Sequence, residues 1–182
     1  MRRLRYNVAT SLDGFIARTD GTFDWIVEDP SIDFAGLTSQ FDAAVMGRRT
    51  YEVMKRLSPG TVLPGVKVYV SSNTLAPADA PDAVIIPGDP VETVRALKMA
   101  EGKDIWLFGG GVLFRALLDA GLVDTVEVAL MPVLLSEGIP VLPPGAASPR
   151  LELTNVTSLP ASGIVMLTYA VQAPQGAPAP VK

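Results

Sequence analysis

The sequence predicts a three-layer α/β domain: a mixed, mostly parallel sheet flanked by helices, with an antiparallel strand pair at its C-terminal end. Three observations predict it. Short apolar runs alternate with amphipathic helical segments through the middle of the chain, as βα units do. The last two apolar segments are separated only by a turn. The 182 residues, 48% hydrophobic and 19% charged, supply apolar material for one core. A single domain over residues 1–172 is expected, followed by a Pro/Ala-rich tail, 173–182, expected to be disordered.

Residues 4–12 alternate loosely around Tyr6, Val8 and Thr10 and read as a strand closed by the turn Asp13-Gly14; Phe15-Ile16-Ala17 is a second short apolar piece. Ile32, Phe34, Ala35, Leu37 and Phe41 suit one face of a short helix over 32–41, with Ser31 as N-cap. A strand over 43–46 ends at Gly47, and a helix opens near Thr50. Runs 66–70 and 83–86, closed by Ser71-Ser72-Asn73 and Pro87-Gly88, read as buried parallel strands. A helix over 91–100 with Asp89 as cap, a strand over 105–108 and a helix over 112–120 ending at Gly121 follow. A strand over 126–132 precedes the terminal pair, 151–158 and 164–171, joined through 160–163.

Composition excludes several functions. With no Cys and no His there is no thiolate, disulfide, imidazole base or zinc site built from nitrogen or sulfur ligands. Catalysis would fall to a cofactor or a carboxylate. Fifteen Lys and Arg against 19 Asp and Glu give a net charge of −4, no field for a nucleic acid partner. Apolar stretches such as 128–135 fall short of the ~18–20 residues that span a bilayer. The basic start, Met1-Arg2-Arg3-Leu4-Arg5, runs into a turn rather than a long apolar segment. A soluble, cytoplasmic protein is expected.

Three strand ends carry ligand-binding chemistry. Phe108-Gly109-Gly110-Gly111-Val112-Leu113 leads from a strand through three glycines into a helix N-terminus, where bare N–H groups and the helix dipole favour an anion. It equally fits a tight turn that binds nothing, and it is not the Gly-x-Gly-x-x-Gly fingerprint. Gly47-Arg48-Arg49-Thr50 repeats the strand-to-helix pattern with two guanidinium groups suited to phosphate, or to solvent. Ser71-Ser72-Asn73 adds three small hydrogen-bonding residues. In a parallel sheet these ends converge on one edge, the place where α/β folds bind ligands. Asp13 offers a carboxylate, although Asp before Gly is turn chemistry. Trp25, Asp29 and Asp33 fall in an irregular segment suited to a lid, or to ordinary packing and turns.

Asn7 to Ala17, Met46 to Glu52, Ser71 to Asn73 and Phe108 to Gly111 together resemble the dihydrofolate reductase superfamily, in order along the chain. Leu117 to Asp124, Pro132 to Leu135 and Gly138 to Leu142 are similar to its branch around the reductase domain of the riboflavin-biosynthesis deaminase-reductase. The resemblance implies a dihydrofolate reductase-like fold and NADPH across the carboxyl ends of the strands. It places backbone groups of Ala9 and Ile16 at the nicotinamide, and Gly47, Arg48, Arg49 and Thr50 at phosphates. Arg48 with Ser71, Ser72 and Asn73 would face the 2′-phosphate, while Gly109, Gly110, Gly111, Val112 and Leu113 would cradle the pyrophosphate, with a cis bond between Gly109 and Gly110. Trp25 matches the aromatic residue of the active-site loop. The carboxylate that dihydrofolate reductases place after that Trp has only Asp29 and Asp33 as approximate counterparts. Phe108 stands where the riboflavin-pathway reductase has a substrate-binding Glu.

These expectations define an NADPH-dependent reductase acting on a small heterocyclic or carbonyl substrate, with no nucleic acid or membrane partner and a homodimer as its expected assembly. The alternative is a nucleotide-binding or regulatory module that keeps the cofactor cradle without catalysis.

Overall fold

The computed structural model describes residues 1–58, 60–146 and 148–172; the tail expected over 173–182 lies outside the described residues. Among the described residues ten strands and four α-helices run in the order β1 (Leu4–Ser11), β2 (Phe15–Ala17), α1 (Phe34–Thr38), β3 (Phe41–Gly47), α2 (Arg48–Leu57), β4 (Lys67–Ser71), β5 (Ala83–Ile86), α3 (Val91–Met99), β6 (Asp104–Gly109), α4 (Gly111–Asp119), β7 (Thr125–Met131), β8 (Ile139–Pro140), β9 (Leu151–Leu159) and β10 (Ile164–Val171), with a 3-10 turn at Pro77–Asp79. Eight strands form one sheet in the order β5-β4-β3-β6-β1-β7-β10-β9. The first six are parallel to one another, and β10 is antiparallel to both β7 and β9.

Strand alternation sorts side chains onto two faces. On one, Leu4, Tyr6, Val45, Ile105, Leu107 and Val126 meet Val94 of α3 and Leu113, Phe114 and Leu117 of α4. Tyr6 stacks on Phe114 with ring centroids 3.8 Å apart. On the other, Phe41, Ala44, Met46, Val68, Val70 and Trp106 meet Tyr51 of α2, with Leu37 of α1 packed at the margin. Helices on both faces complete the expected three layers.

The differences from expectation have local causes. The first helix is only α1, capped by Asp33, whose Oδ1 accepts from Gly36 N at 2.8 Å, and not by Ser31. Gly36 lowers its helix propensity, and the Thr38 and Ser39 hydroxyls donate to the carbonyls of Phe34 and Gly36, closing the segment before Phe41 opens β3. Helix α2 begins at Arg48 with Gly47 as N-cap, so Thr50 sits inside its first turn and is not its cap. Strand β5 is the sheet edge and leaves Val84 exposed, not a strand buried on both faces. Gly121 ends α4 as expected: at φ 67° it lets Leu122 N reach Leu117 O while its own N–H reaches Leu118 O.

One element was not expected. Strands β2 and β8 pair as a separate two-stranded sheet, Phe15 opposite Pro140, and Val141 N donates to Gly14 O at 2.9 Å. Pro140 hides the strand from sequence reading, because proline lacks the ladder donor.

Candidate active site

The carboxyl ends of β4, β3 and β6 lie side by side, in register through Gly47 opposite Ser71 and Met46 opposite Gly109. The convergence expected from the three strand ends is therefore real. Gly47 and Gly110 are the N-caps of α2 and α4, and neither helix has a side-chain cap. A Cβ on Gly110 would come to 3.8 Å from Gly47 N, and one on Gly109 would come to 3.6 Å from Thr50. The two turns thus bring bare helix N-termini together. Above Gly47 nothing lies within 4 Å of the Cβ position.

Electrostatics sharpen this end. Arg48 and Arg49 open α2, whose first turn holds no acid, so two cations sit where the helix dipole disfavours them unless an anion is bound. Arg48 Nε donates to Glu52 at 2.6 Å, and Nη1 donates to Thr74 Oγ1 at 2.6 Å. Thr74, one residue past the expected set, was missed. Arg49 is exposed, with no hydrogen-bond or ion-pair partner among the described residues. Ser72 Oγ accepts from Thr74 N and Leu75 N, leaving its hydroxyl hydrogen to donate, while Asn73 Oδ1 accepts from Gly88 N at 2.5 Å. Ser71 ends β4, half-buried. Gly111 has a different role: a Cβ there would lie 2.7 Å from Pro140 O, so this glycine lets the small sheet close on α4. Val112 is exposed and Leu113 is buried in the core. The Gly109–Gly110 bond is trans, not cis; the turn is made by φ values of 158° and 100° at the two glycines.

Beside these turns the sheet splits. The β1–β6 ladder stops at Tyr6 opposite Leu107, whereas β1–β7 continues to Ser11 opposite Met131. Beyond Tyr6, β1 has a strand neighbour on one side only, and Ala9 lies in that stretch. Ile16 sits on β2, tied to β1 where Thr10 Oγ1 donates to Phe15 O at 3.2 Å.

The irregular segment before α1 is anchored. Trp25 is 7% exposed and packs with Met131, Ile164, Ala9 and Ile32. Asp29 is buried; it accepts from Ser162 Oγ at 2.6 Å and from the Oγ and N of Ser31 at 2.5 and 2.9 Å. The Ser162 hydroxyl, then those Ser31 donors, hold its carboxyl below the usual range. Asp33 caps α1. Asp13 accepts from Ser11 Oγ, Leu135 N and Ser136 N, which pins the loop after β7. Phe108 packs on Trp106 with centroids 4.7 Å apart.

A cleft of about 300 Å³ opens between α1 and the β1-β7-β10-β9 part of the sheet, lined among others by Asn7, Ile32, Asp33, Glu127, Asn155 and Met166. Sequence reading missed it. At its base Glu127 is bound by Arg5 through Nε at 2.6 Å and Nη2 at 2.9 Å. Burial alone would raise the Glu127 carboxyl; hydrogen bonds from Arg5, Asn7 and Thr125 and the Arg5 charge outweigh it, so the group titrates below its ordinary value.

This sheet order, with strand ends and helix N-termini gathered at one edge, defines an α/β protein with a dihydrofolate reductase-like fold. Dihydrofolate reductase from Enterococcus faecalis, complexed with NADP(H), superposes with a TM-score of 0.69 at 20% identity, covering 94% of this chain and 97% of that one. The chain belongs to the RibD C-terminal domain family, whose model matches residues 2–165. It is 32% identical over 179 residues to YyaP of Bacillus subtilis (strain 168), covering 92% of this chain and 94% of that protein. It is 28% identical over 144 residues to the riboflavin biosynthesis protein RibD of Mycobacterium tuberculosis, covering 71% of this chain and 42% of that protein. A crystallised chain from Shewanella sp. PV-4, assigned to riboflavin biosynthesis, superposes with a TM-score of 0.78 at 28% identity, covering 95% of this chain and all of that one. Family and fold together support a reductase-type function. Among the described residues no helix is long and apolar enough to cross a membrane.

Proposed function

We propose that the protein is an NADPH-dependent reductase of a small heterocyclic or carbonyl compound. The observation that carries this reading is the pair of uncapped helix N-termini meeting at Gly47 and Gly110, with Arg48 and Arg49 at the first of them and the split beside Ala9 next to both. Backbone N–H groups at 48–50 and 111–113 suit phosphate oxygens, and glycine at 109 and 110 keeps the approach clear. Arg48, Ser71, Ser72, Asn73 and Thr74 form a donor group of the kind that holds a 2′-phosphate. Backbone groups of Ala9 and Ile16 would orient a carboxamide in the split, with Trp25 closing that end.

When bound, the cofactor supplies a hydride from its C4, leaving as the oxidised nucleotide, and the substrate carbon that accepts it gains a proton on its neighbouring atom. Asp29 is not suited to give that proton, since its three hydrogen bonds favour the ionised form. Water entering the cleft would supply it. An open cleft that carries Asn7, Asp33 and Thr168 among apolar side chains supports catalysis over the cradle-only module, which has no use for such a space.

Calorimetric titration tests the reading: NADPH is expected to bind at least about tenfold more tightly than NADH, matching one charge-assisted contact. Equal affinities would remove the 2′-phosphate assignment, and no binding of either would remove the reductase.

A homodimer belongs to the same proposal. Edge strand β9 leaves Leu151, Leu153 and Val156 45%, 51% and 55% exposed, an apolar edge that a second copy would cover. Sedimentation at micromolar concentration is expected to give a dimer, and Val156→Lys a monomer.

A further inference from the structure

Helix α2 opens with several features that favour fraying. Its N-cap is Gly47, no side chain caps it, and its first turn carries two cations and no acid at the end where the dipole disfavours cations. The Arg48–Glu52 pair spans that turn, but both side chains are exposed, and an exposed pair of this spacing holds little. The Arg48 bond to Thr74 is the contact that a bound phosphate would take over. Another contact must hold the turn before a ligand arrives.

Tyr51, the fourth residue of α2, supplies it. This side chain is 2% exposed within the core of its sheet face, and its hydroxyl donates to Asp82 Oδ1 at 2.6 Å. Asp82 Oδ2 lies 3.0 Å from Lys55 Nζ, and the same ammonium donates to Gly60 O at 2.8 Å. Burial, then the Asp82 bond and charge, push the Tyr51 hydroxyl up to about 12. Burial alone would raise Asp82, but the bonds from Tyr51 and Lys55 and the Lys55 charge outweigh it, so this carboxyl titrates below its ordinary value. The proton therefore stays on the phenol, and the bond is charge-assisted, the stronger kind. Asp82 ends the connection from β4 to β5, which begins with Ser72, Asn73 and Thr74. The bond thus ties α2 to the segment 72–82, the two walls around Arg48, at a point that a bound phosphate would leave untouched.

We infer that Tyr51 and Asp82 are positioning residues: their hydrogen bond keeps the first turn of α2 formed, with its N–H groups at 48–50 in place, before any phosphate binds. The inference rests on the reading of that turn as part of a cofactor cradle. Backbone donors serve NADPH and NADH alike, so the anchor acts on both, whereas Arg48 acts on NADPH alone.

Amide hydrogen exchange and calorimetry on the full chain test it. Without ligand, the Glu52 and Val53 amides of the unmodified protein, which bond back to Arg48 and Arg49, are expected to be protected, and NADPH should change their exchange less than about twofold. Tyr51→Phe keeps the ring and should lose that protection, regaining it with NADPH. It should bind NADPH and NADH each roughly fivefold less tightly, since only the fraction with an ordered turn is competent. Asp82→Asn keeps an oxygen that accepts from the phenol and should stay within about twofold of the unmodified protein. Asp82→Ala should behave as Tyr51→Phe does. Unprotected Glu52 and Val53 amides in the ligand-free, unmodified protein would overturn the inference without any variant having to fold. So would unchanged affinities in a Tyr51→Phe protein that is merely less stable in urea, or a loss confined to NADPH. Lost protection in Tyr51→Phe, in a chain whose unmodified form binds neither nucleotide, would uphold the anchor and defeat the cofactor reading alone.

Discussion

Around β3 and β6 the sheet is covered on both faces, and what it offers a ligand is backbone: glycine turns, helix N-termini and a few short side chains at strand ends. From β1 to β9 one face is partly open, and what it offers, among apolar side chains, is polar groups borrowed from separate strands, Asn7 from β1, Glu127 from β7, Thr168 from β10 and Asn155 from β9. The first half suits a ligand whose shape and charge are constant, since main-chain groups cannot vary. The second suits a ligand that differs among relatives, since single substitutions remake it.

The comparison can be broken at either half. The largest expected effect is Glu127→Ala, which strands Arg5, only 10% exposed at its side chain, without its bidentate partner. Loss of about 3 kcal/mol of stability in urea denaturation is expected, the low end for a broken buried pair because Gln40 and Asp104 also accept from Arg5. NADPH affinity in the folded fraction should be unchanged; a large loss of it would join the two halves. The same carboxylate sets an acid limit. Its folded-state value lies below the ordinary 4.5, so its contribution is complete above 4.5 and is lost as the pH falls through the lowered value. Stability of Glu127→Gln should accordingly vary less with pH below 4.5 than that of the unmodified protein.

Arg48→Ala comes next. It should cost about 1.5 kcal/mol of NADPH affinity, near tenfold, because the guanidinium now shared with Glu52 and Thr74 would serve a phosphate. NADH affinity and urea stability should hold. Equal losses for both cofactors would move the assignment to Arg49.

The smallest effect sharpens the backbone half. Gly110→Ala finds only ordinary contacts, 3.8 Å and beyond, but imposes φ of 100° on an L-residue, costing about 1 kcal/mol. NADPH affinity should fall with it. Gly14→Ala, also at positive φ with open space around it, should cost similar stability and leave NADPH binding intact. Parallel behaviour of the two variants in calorimetry would deprive the Gly110 turn of its special role.

What could be read beforehand follows the same division. The strand-to-helix turns at Gly47 and Gly110 are local, written in consecutive residues, and the fold class followed from the spacing of apolar runs. The cleft is not local: Asn7 and Glu127 are 120 residues apart in sequence and adjacent only through the β1–β7 register. A trace of it was present, since Arg5 and Asn7 alternate with Leu4, Tyr6 and Val8, and Glu127 interrupts Val126 and Val128. Polar residues on the inward phase of a buried strand announce partners without naming them. Asp29 and Asp33 differ again: their carboxylates were visible, but not that the Ser162 and Ser31 hydroxyls and the Ser31 N–H would donate to Asp29, and the Gly36 N–H to Asp33.

The position of β1 has a cost in time. It is the first strand made and stands near the middle of the sheet, yet its partners begin 101 residues later in β6, where Ile105 faces Leu4, and 120 later in β7, where Thr125 faces Arg5. At roughly 5–20 residues per second on a ribosome, Leu4 and Tyr6 wait on the order of 5–25 seconds with nothing to pair with. The β3-β4-β5 portion can form meanwhile, but the core cannot close from the N-terminus forward. A nascent chain of this design exposes its most central apolar strand longest, and that interval is when a holding chaperone matters most.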